Sequence, residues 1–128
     1  MITRTDIEEY VFDLVRGFGV PVTISDHFPV EGEVKGERII IIGSDIEGSG
    51  HWLHSVFNIN WLVPDIKGEP SARVGDVERV LAGIRRGSGM IDGTAFRYSV
   101  RRRGKGNDKA LKVHYANLQL LIEPINTL

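Results

Sequence analysis

The sequence predicts a single α+β domain, in which two helices pack on an antiparallel or mixed β-sheet of four to five strands. Two segments repeat apolar residues with the period of a helix, and several others alternate apolar and polar residues as strands do. The short connections between these segments favour elements that are neighbours in space. The predicted order is helix, strand, strand, strand, helix, strand, strand, ending in a long β-hairpin. Residues 1–128 suit one domain because a chain of this length can bury a single core.

Residues 5–16 have the pattern of an amphipathic helix. Its apolar residues recur at helical spacing, and they are Ile7, Tyr10, Val11, Leu14 and Val15. Thr5 and Glu8 have the spacing of a capping box at the helix start. Gly17 and Gly19 predict where the helix ends. The pattern therefore predicts a first helix that covers the sheet.

Three strands are predicted next, over residues 21–24, 37–42 and 53–63. Pro21 indicates that the first of them is an edge strand, because proline cannot donate a ladder hydrogen bond. The second contains four consecutive isoleucines, which predicts a strand covered on both faces. In the third, Phe57, Ile59, Trp61 and Val63 share one face, which we expect to be the core face. The intervening residues 25–36 contain Pro29, Gly32 and Gly36 among polar residues and are predicted to form a loop or an open hairpin, and residues 43–50 are predicted to form a flexible loop.

A second helix is predicted over residues 73–86. Its buried positions are predicted to be Val74, Val77, Leu81 and Ile84. Arg85 and Arg86 fall in the predicted last turn, where positive charge interacts favourably with the helix dipole. Gly87 predicts the end of the helix.

The chain is predicted to end with two strands, residues 94–101 and 111–122, joined by a charged turn. The apolar phase of the second of these slips by one residue, from Leu111, Val113 and Tyr115 to Ala116, Leu118, Leu120 and Ile122. Such a slip predicts a β-bulge near Tyr115 and Ala116. Both strands exceed the usual strand length, so part of the hairpin is expected to extend beyond the sheet.

The composition is that of an ordinary globular protein. The absence of cysteine excludes disulfides and a thiol nucleophile and is typical of a reducing compartment. The acidic N-terminal segment lacks the apolar run of a signal peptide. The longest apolar run, residues 39–42, is far too short to cross a membrane. We therefore expect a cytoplasmic protein, at least when it is made, with no membrane partner.

Charge is distributed unevenly along the chain. Residues 1–70 contain 5 Lys and Arg against 12 Asp and Glu, a formal charge of −7. Residues 71–128 contain 11 against 5, a formal charge of +6. An acidic half and a basic half allow copies of the chain to attract one another head to tail, or to attract a polyanion. The near-neutral total of −1 argues against a dedicated nucleic-acid binder.

Six of the late positive charges fall within residues 97–109. They are Arg97, Arg101, Arg102, Arg103, Lys105 and Lys109. Because Gly104 and Gly106 lie among them, residues 101–109 are predicted to form a mobile basic hairpin tip. Three roles remain open for this tip: a solvated end that prevents aggregation, a contact with the acidic surface of a neighbouring subunit, or a contact with nucleic acid.

Candidate partners for the basic tip lie in the acidic half of the chain. They are Glu31, Glu33, Glu37 and residues 45–47. Trp52, at the boundary of a glycine-rich loop, is a candidate interface anchor. Tyr98 and Tyr115 flank the tip and could stack on bases, although both also fit the apolar phase of their strands.

Catalytic and metal-binding patterns are weak. His51 and His54 are three residues apart next to a strand, where they would face opposite sides, and no third ligand is near in sequence. Asp45 and Glu47 lie in a glycine- and serine-rich loop that favours solvated carboxylates over acid–base catalysis. No catalytic residue, metal or cofactor is therefore predicted, and an enzyme using His51, His54 and Asp45 is the third of three functional hypotheses.

The order of elements resembles that of a known family. A short helix leads into strands, and a long strand ends with Phe-Asn-Ile-Asn-Trp-Leu-Val-Pro-Asp at residues 57–65. A helix containing Asp-Val-Glu-Arg-Val-Leu-Ala-Gly-Ile at residues 76–84 and two late strands follow. In length and element order, over nearly the whole chain, this resembles the tail-terminator and tail-completion proteins of long-tailed bacteriophages and the related head–tail joining proteins. That family has no diagnostic motif to match.

The resemblance implies a structural protein, not an enzyme. Members of the family assemble into hexameric rings that cap the tail tube and face the head connector. A ring-forming subunit of a phage or prophage tail, with other tail or connector proteins as partners and the virion tail as its location, is the leading hypothesis. A closed ring needs two complementary surfaces on each subunit, which the uneven charge could supply. The alternative is a small nucleic-acid-binding module that uses residues 97–109; inside a ring, the same residues would meet DNA only in passing.

Overall fold

A six-stranded mixed β-sheet forms the centre of the protein, and the computed structural model describes residues 1–29 and 34–128. The strands are β1 (Val22–Ile24), β2 (Arg38–Gly43), β3 (Ser55–Pro64), β4 (Gly87–Ile91), β5 (Thr94–Asp108) and β6 (Val113–Pro124). Their order across the sheet is β1-β2-β3-β6-β5-β4. β1 and β2 are parallel, and every other neighbouring pair is antiparallel. The predicted α+β class is confirmed, with one strand more than the predicted four to five.

Two helices, α1 (Arg4–Val15) and α2 (Arg73–Leu81), pack on one face of this sheet. Ile7, Val11 and Val15 of α1 are buried there, as are Val74, Val77 and Leu81 of α2. They meet alternate residues of the central strands, which include Ile39, Ile41, Phe57, Ile59, Trp61, Leu118 and Leu120. In the described part of the chain, no helix is both long enough and apolar enough to cross a membrane.

The start of α1 lies two residues earlier than its predicted cap. Thr3, not Thr5, is the N-cap: its hydroxyl accepts a hydrogen bond from the Asp6 amide at 3.2 Å. Asp6 in turn accepts from the Thr3 amide at 2.8 Å, which completes a capping box. The prediction of Thr5 and Glu8 was therefore wrong in position although right in kind.

The second helix is shorter than predicted. It ends at Leu81 rather than at residue 86, because Gly83 and Ile84 donate to Val80 and Leu81 in tighter three-residue turns. Arg85 and Arg86 are consequently not in its last turn, as predicted, but in the exposed link to β4.

Strand β4, which was not predicted, forms one edge of the sheet. It pairs with β5 through a two-residue turn at Asp92 and Gly93, whose φ angles of 49° and 76° are both positive. This is the geometry of a type I′ hairpin turn. The side chain of Phe96 crosses Gly89, where an added Cβ would lie 2.8 Å from the ring. Glycine therefore lets an aromatic ring of β5 cover the edge strand.

A second, smaller core lies on the opposite side of the sheet, which we call the far face. Its buried residues are Val34, Ile40, Leu62, Leu111 and Val113. The four isoleucines of β2 are thus divided between two cores, and the prediction that both faces of this strand are covered is confirmed. Phe28 packs edge-on against Tyr115 at the border of the second core, with 5.1 Å between ring centroids.

The second core also explains the phase slip of the last strand. Val113 faces one core and Ala116 the other, so β6 needs no bulge, and its register with β3 is continuous from Val113 to Ile122. The predicted bulge near Tyr115 and Ala116 was wrong. The register shift lies instead in β5, between Val100 and Arg102. The hairpin does not extend beyond the sheet, because β5 remains paired with β6 as far as Asp108.

Candidate functional site

The predicted mobile basic tip is part of a regular strand. Arg101 to Asp108 belong to β5, and only residues 109–112 form the turn. Gly106 is required by packing rather than by mobility, because an added Cβ would lie 2.6 Å from the Tyr115 hydroxyl. Since side chains alternate along a strand, the basic residues are divided between the two faces of the sheet. Arg102 pairs with Gln119 on the far face, and Arg103 pairs with Leu118 on the helix face.

Arg103 is occupied within the molecule. Its guanidinium donates to the carbonyl of Leu81 at 3.2 Å and to the carbonyl of Ile84 at 2.9 Å. The Leu81 carbonyl is the last of α2 and also accepts from the Ile84 amide, and the Ile84 carbonyl belongs to the turn that follows. Carbonyls at a helix C-terminus attract positive charge. Arg103 therefore closes the end of a helix, a role that its sequence position did not reveal.

Arg97 and Trp52, two of the predicted site residues, contact each other. The Arg97 guanidinium carbon lies 4.0 Å from the centroid of the Trp52 ring, within cation–π distance. The same guanidinium forms an ion pair of 3.1 Å with Glu123 on β6. The Trp52 side chain is half-buried rather than fully exposed, and the main chain of Trp52 forms an isolated β-bridge with that of Ile125. The pair forms a folded aromatic and cationic patch on the far face.

The remaining predicted residues are exposed and unpaired. Within residues 1–29 and 34–128, four of them make no side-chain hydrogen bond or ion pair: Arg101, Arg102, Lys105 and Lys109. Arg85 and Arg86, which were expected to stabilise a helix end, are exposed and unpaired in the same sense. They add to the positive charge of this half of the sheet. Tyr98 and Tyr115 are both packed against other aromatic rings, so neither presents a free ring for stacking.

Two of the acidic candidates, Asp45 and Glu37, are already paired inside the molecule. Asp26 and Asp45 both accept from Arg4, at 2.9 and 3.0 Å, and the hydrogen bond to Asp45 is the main cause that raises the pKa of Arg4. Glu37 accepts from the Trp61 indole at 3.0 Å and from Arg73 at 3.1 Å. Glu37 thus joins Trp61 to Arg73 and does not meet the basic hairpin tip. Glu31 and Glu33 lie outside the described residues.

The strand order separates the two charged halves of the chain in space. The acidic first 70 residues supply α1, β1, β2 and β3, and the basic remainder supplies α2, β6, β5 and β4. Because β3 and β6 meet in the middle of the sheet, one edge of the sheet belongs to the acidic half and the opposite edge to the basic half. The uneven charge of the sequence is therefore a polarity across the folded molecule.

Amide side chains line the middle of the far face, where the halves join. Asn117 donates to Asn58 at 3.2 Å and to Asn60 at 2.9 Å, and Gln119 donates to Asn58 at 3.1 Å. The buried carbonyl oxygen of Asn117 has no hydrogen-bond partner among the described residues. A ladder of this kind fixes the register between β3 and β6, because a one-residue shift would leave buried amides unpaired.

The histidines do not form a metal site in the described ranges. No group of three or more His, Asp or Glu side chains with metal-binding spacing occurs in residues 1–29 and 34–128. The main chain of His54 pairs with that of Glu47, and His51 lies beside Trp52. The sequence reading missed the contact of His114 with Asp65, whose Nδ1 and Oδ1 atoms are 2.6 Å apart. His114 lines a groove of about 570 Å³, together with Ser71 and Lys105 among other residues.

Comparison with known proteins supports the fold and nothing more specific. No protein-family model matches the chain, and no curated protein is similar to it. One solved structure shares the fold, with a TM-score of 0.53 and 17% sequence identity over 98% of this chain and 94% of that chain. Its name describes no activity. At that identity the likeness extends to architecture alone.

Proposed function

We propose that the protein is a structural, non-enzymatic subunit that joins copies of itself head to tail into a ring, in the tail of a long-tailed phage or prophage. The observation that carries this proposal is the polarity of the sheet, with an acidic half at one edge and a basic half at the other. A subunit with two different, complementary surfaces forms heterologous contacts, and these close into rings when the rotation between subunits allows it.

The unpaired cations give this polarity an available surface. Arg85, Arg86 and Arg101 are exposed on the basic half without an internal counter-charge in the described ranges. On the acidic half, Glu9 and Glu47 are exposed. Electrostatic complementarity of this kind mainly raises the rate and specificity of association. The resemblance in element order supplies the rest of the proposal: a ring of six subunits, located in the virion tail, that contacts tail or connector proteins.

Native mass spectrometry across a range of protein concentrations tests the self-assembly. We expect a closed oligomer of defined size in low salt that dissociates as salt is added, because exposed charges are screened within about 10 Å at 0.1 M ionic strength. Reversing two cations in one variant, Arg85→Glu with Arg86→Glu, should weaken assembly at least tenfold. The matched control, Lys67→Glu, changes a charge away from both edges. A strictly monomeric wild-type protein at about 1 mM would overturn the proposal.

The tail role has its own test. Deleting the gene from the phage or prophage that encodes it should yield heads and tails that fail to join, visible by negative-stain electron microscopy. Expression of the wild-type protein in trans should restore complete particles. Normal particles from the deletion strain would exclude a role in the tail while leaving the self-assembly intact.

Nucleic-acid binding is the second candidate, favoured by four unpaired cations on or next to one strand: Arg101, Arg102, Lys105 and Lys109. It predicts binding of a labelled oligonucleotide that falls steeply with salt, with a slope set by the number of phosphates contacted. Replacing all four by Gln should abolish the shift. A protein that fails to retard the oligonucleotide at about 25 mM salt rules out this candidate.

A further inference from the structure

The two edge strands of the sheet present main-chain groups that no other strand of residues 1–29 and 34–128 pairs. In β1, the Pro21 carbonyl accepts from Ile39 at 2.8 Å and the Ser25 amide donates to Ile41 at 3.0 Å. Residues of a parallel ladder alternate in the side to which their main-chain groups point. Val22 and Ile24, which alternate with these two positions, therefore direct their N–H and C=O groups away from β2.

Strand β4 has the same property at the opposite edge. Its two-residue turn makes Ile91 and Thr94 the hydrogen-bonded pair that closes the hairpin. Hydrogen-bonded and non-hydrogen-bonded pairs alternate in an antiparallel ladder, so Ser88 and Met90 are not bonded to β5. Their main-chain N–H and C=O groups point outward from the sheet.

Neither edge strand contains a charged residue or a proline, and β1 is short, with three residues. The proline beside β1 precedes the strand. Large exposed apolar side chains mark both edges: Met90 is 68% exposed and Ile24 is 39% exposed. Exposed apolar residues on a bare edge are typical of a strand that pairs with another chain.

The direction of the strands determines how two copies can pair. One parallel and four antiparallel pairings separate β1 from β4, so both edge strands run in the same direction. In a ring, the sheets of neighbouring subunits can join into one continuous sheet only if the ring axis lies roughly along the strands. Rotation about such an axis leaves the direction of the strands unchanged. β4 of one copy would therefore pair with β1 of the next in parallel.

We infer that the subunits join by parallel main-chain pairing of β4 of one copy with β1 of the next, with Met90 opposite Thr23; this rests on the proposed self-assembly. Met90 N–H then donates to the Val22 carbonyl, and Ile24 N–H donates to the Met90 carbonyl. The side chains agree with this register, because Thr23 pairs with Ile40 and Met90 with Ala95, and all four lie on the far face.

Charge favours this pairing over a symmetric one. In a parallel arrangement the two strand starts lie at the same end, so Arg85 and Arg86 come near Asp13 of α1, an exposed carboxylate that also pairs with Arg16 at 3.4 Å. Pairing β4 with β4 of another copy would instead bring two basic halves together, which like-charge repulsion disfavours.

Cysteine cross-linking tests the pairing directly, since the chain contains no cysteine of its own. Thr23→Cys and Met90→Cys are made as separate proteins, mixed, and treated with a short bismaleimide. We expect covalent dimers in the mixture and at least tenfold fewer with either variant alone. Efficient cross-linking of Met90→Cys to itself would show the symmetric edge contact and overturn the inference.

Substitution of the outward amide gives a second readout. Met90→Pro removes an N–H that β5 does not use, so the monomer should fold, whereas Met90→Ala retains that N–H. We expect Met90→Pro to lower the association constant at least tenfold and Met90→Ala to change it less than threefold, with both folds checked by circular dichroism. If Met90→Pro forms oligomers as readily as the wild-type protein, the edge pairing alone is overturned. A wild-type protein that stays monomeric overturns the self-assembly and, with it, the pairing.

Discussion

The guanidinium of Arg97 lies over the ring of Trp52, with 4.0 Å between the guanidinium carbon and the ring centroid. The two residues come from opposite halves of the chain, and Glu123 holds the guanidinium in place from the neighbouring strand. Two residues that sequence reasoning assigned to contacts with other molecules are thus partners of each other. Any partner that uses this patch would meet a preformed aromatic and cationic surface rather than two free side chains.

Arg97→Ala should uncover Trp52 and lower the free energy of unfolding by about 1 kcal/mol. Tryptophan emission should shift to the red, and acrylamide should quench it more strongly. Both changes report on Trp52, because the other tryptophan, Trp61, is buried and remains so. Arg101→Ala, which removes an unpaired cation nearby, is the control and should change neither property. Emission that is identical in Arg97→Ala and wild type would contradict the contact.

Arg103→Ala should destabilise the end of α2, because it removes two hydrogen bonds, one to the last carbonyl of the helix and one to the carbonyl of Ile84 in the turn that follows. We expect the free energy of unfolding to fall by about 1–2 kcal/mol, as for hydrogen bonds from a charged donor. Amide exchange at residues 82–86 should accelerate. Arg102→Ala serves as the control, and its stability should stay within about 0.5 kcal/mol of wild type. Equal stability of the two variants would show that Arg103 does not hold the helix end.

Gly106→Ala should cost about 1–3 kcal/mol, because the new Cβ would lie 2.6 Å from the Tyr115 hydroxyl and force the ring to move. Gly104→Ala is the matched control on the same strand, since the nearest atom to its Cβ would be 4.0 Å away. Its stability should change by less than about 1 kcal/mol. Chemical denaturation of both variants gives the comparison, and a larger loss at Gly104 would refute the packing argument.

Thr3→Ala should lower the free energy of unfolding by about 1 kcal/mol through loss of the capping box at α1. Thr5→Ala tests the position that the sequence pattern favoured and should have a smaller effect, because Thr5 is exposed inside the helix. Helix content by circular dichroism and thermal denaturation distinguish the two variants. A greater loss in Thr5→Ala would place the cap where the pattern predicted it.

Tyr10 should titrate late in alkali. Burial, together with the nearby Tyr98 hydroxyl, raises the pKa of Tyr10 to about 12 in the folded protein. Because the folded pKa exceeds the unfolded value of about 10, the neutral phenol stabilises the fold fully below pH 10. That stabilisation is lost as the pH rises from about 10 to 12. Near-ultraviolet absorbance should show a late tyrosinate step that is missing in Tyr10→Phe; an identical titration in that variant would contradict the shift.

Periodicity predicted the elements whose apolar residues recur on one face. Ile7, Val11 and Val15 of α1 and Phe57, Ile59 and Trp61 of β3 face the main core as expected, because polar residues separate these apolar ones in the sequence. The same reasoning gave a wrong prediction for β6, because Val113 and Ala116 are buried in different cores. The covering residues of the second core come from distant segments, which a local pattern cannot show.

The missed strand β4 did leave a local signal. Asp92-Gly93 is a dipeptide typical of a two-residue hairpin turn, and it joins β4 to β5. Gly87 and Gly89 concealed the strand because glycine is rare in strands unless another group crosses it closely. The roles of Arg103 and Arg97 had no such signal, since their partners Ile84 and Trp52 are 19 and 45 positions away by residue number.

The join between β3 and β6 also governs how the chain can fold. The two halves of the sheet are each built from neighbouring stretches of sequence, but the amides that link them, Asn58 and Asn117, are 59 residues apart. Contacts of such separation form slowly, because a long loop must close first. We therefore expect this central pairing to limit the folding rate. The opposite charges of the two halves would speed this closure, because they attract each other within one chain. The same charge polarity that can attract neighbouring copies would then act first during the folding of each chain.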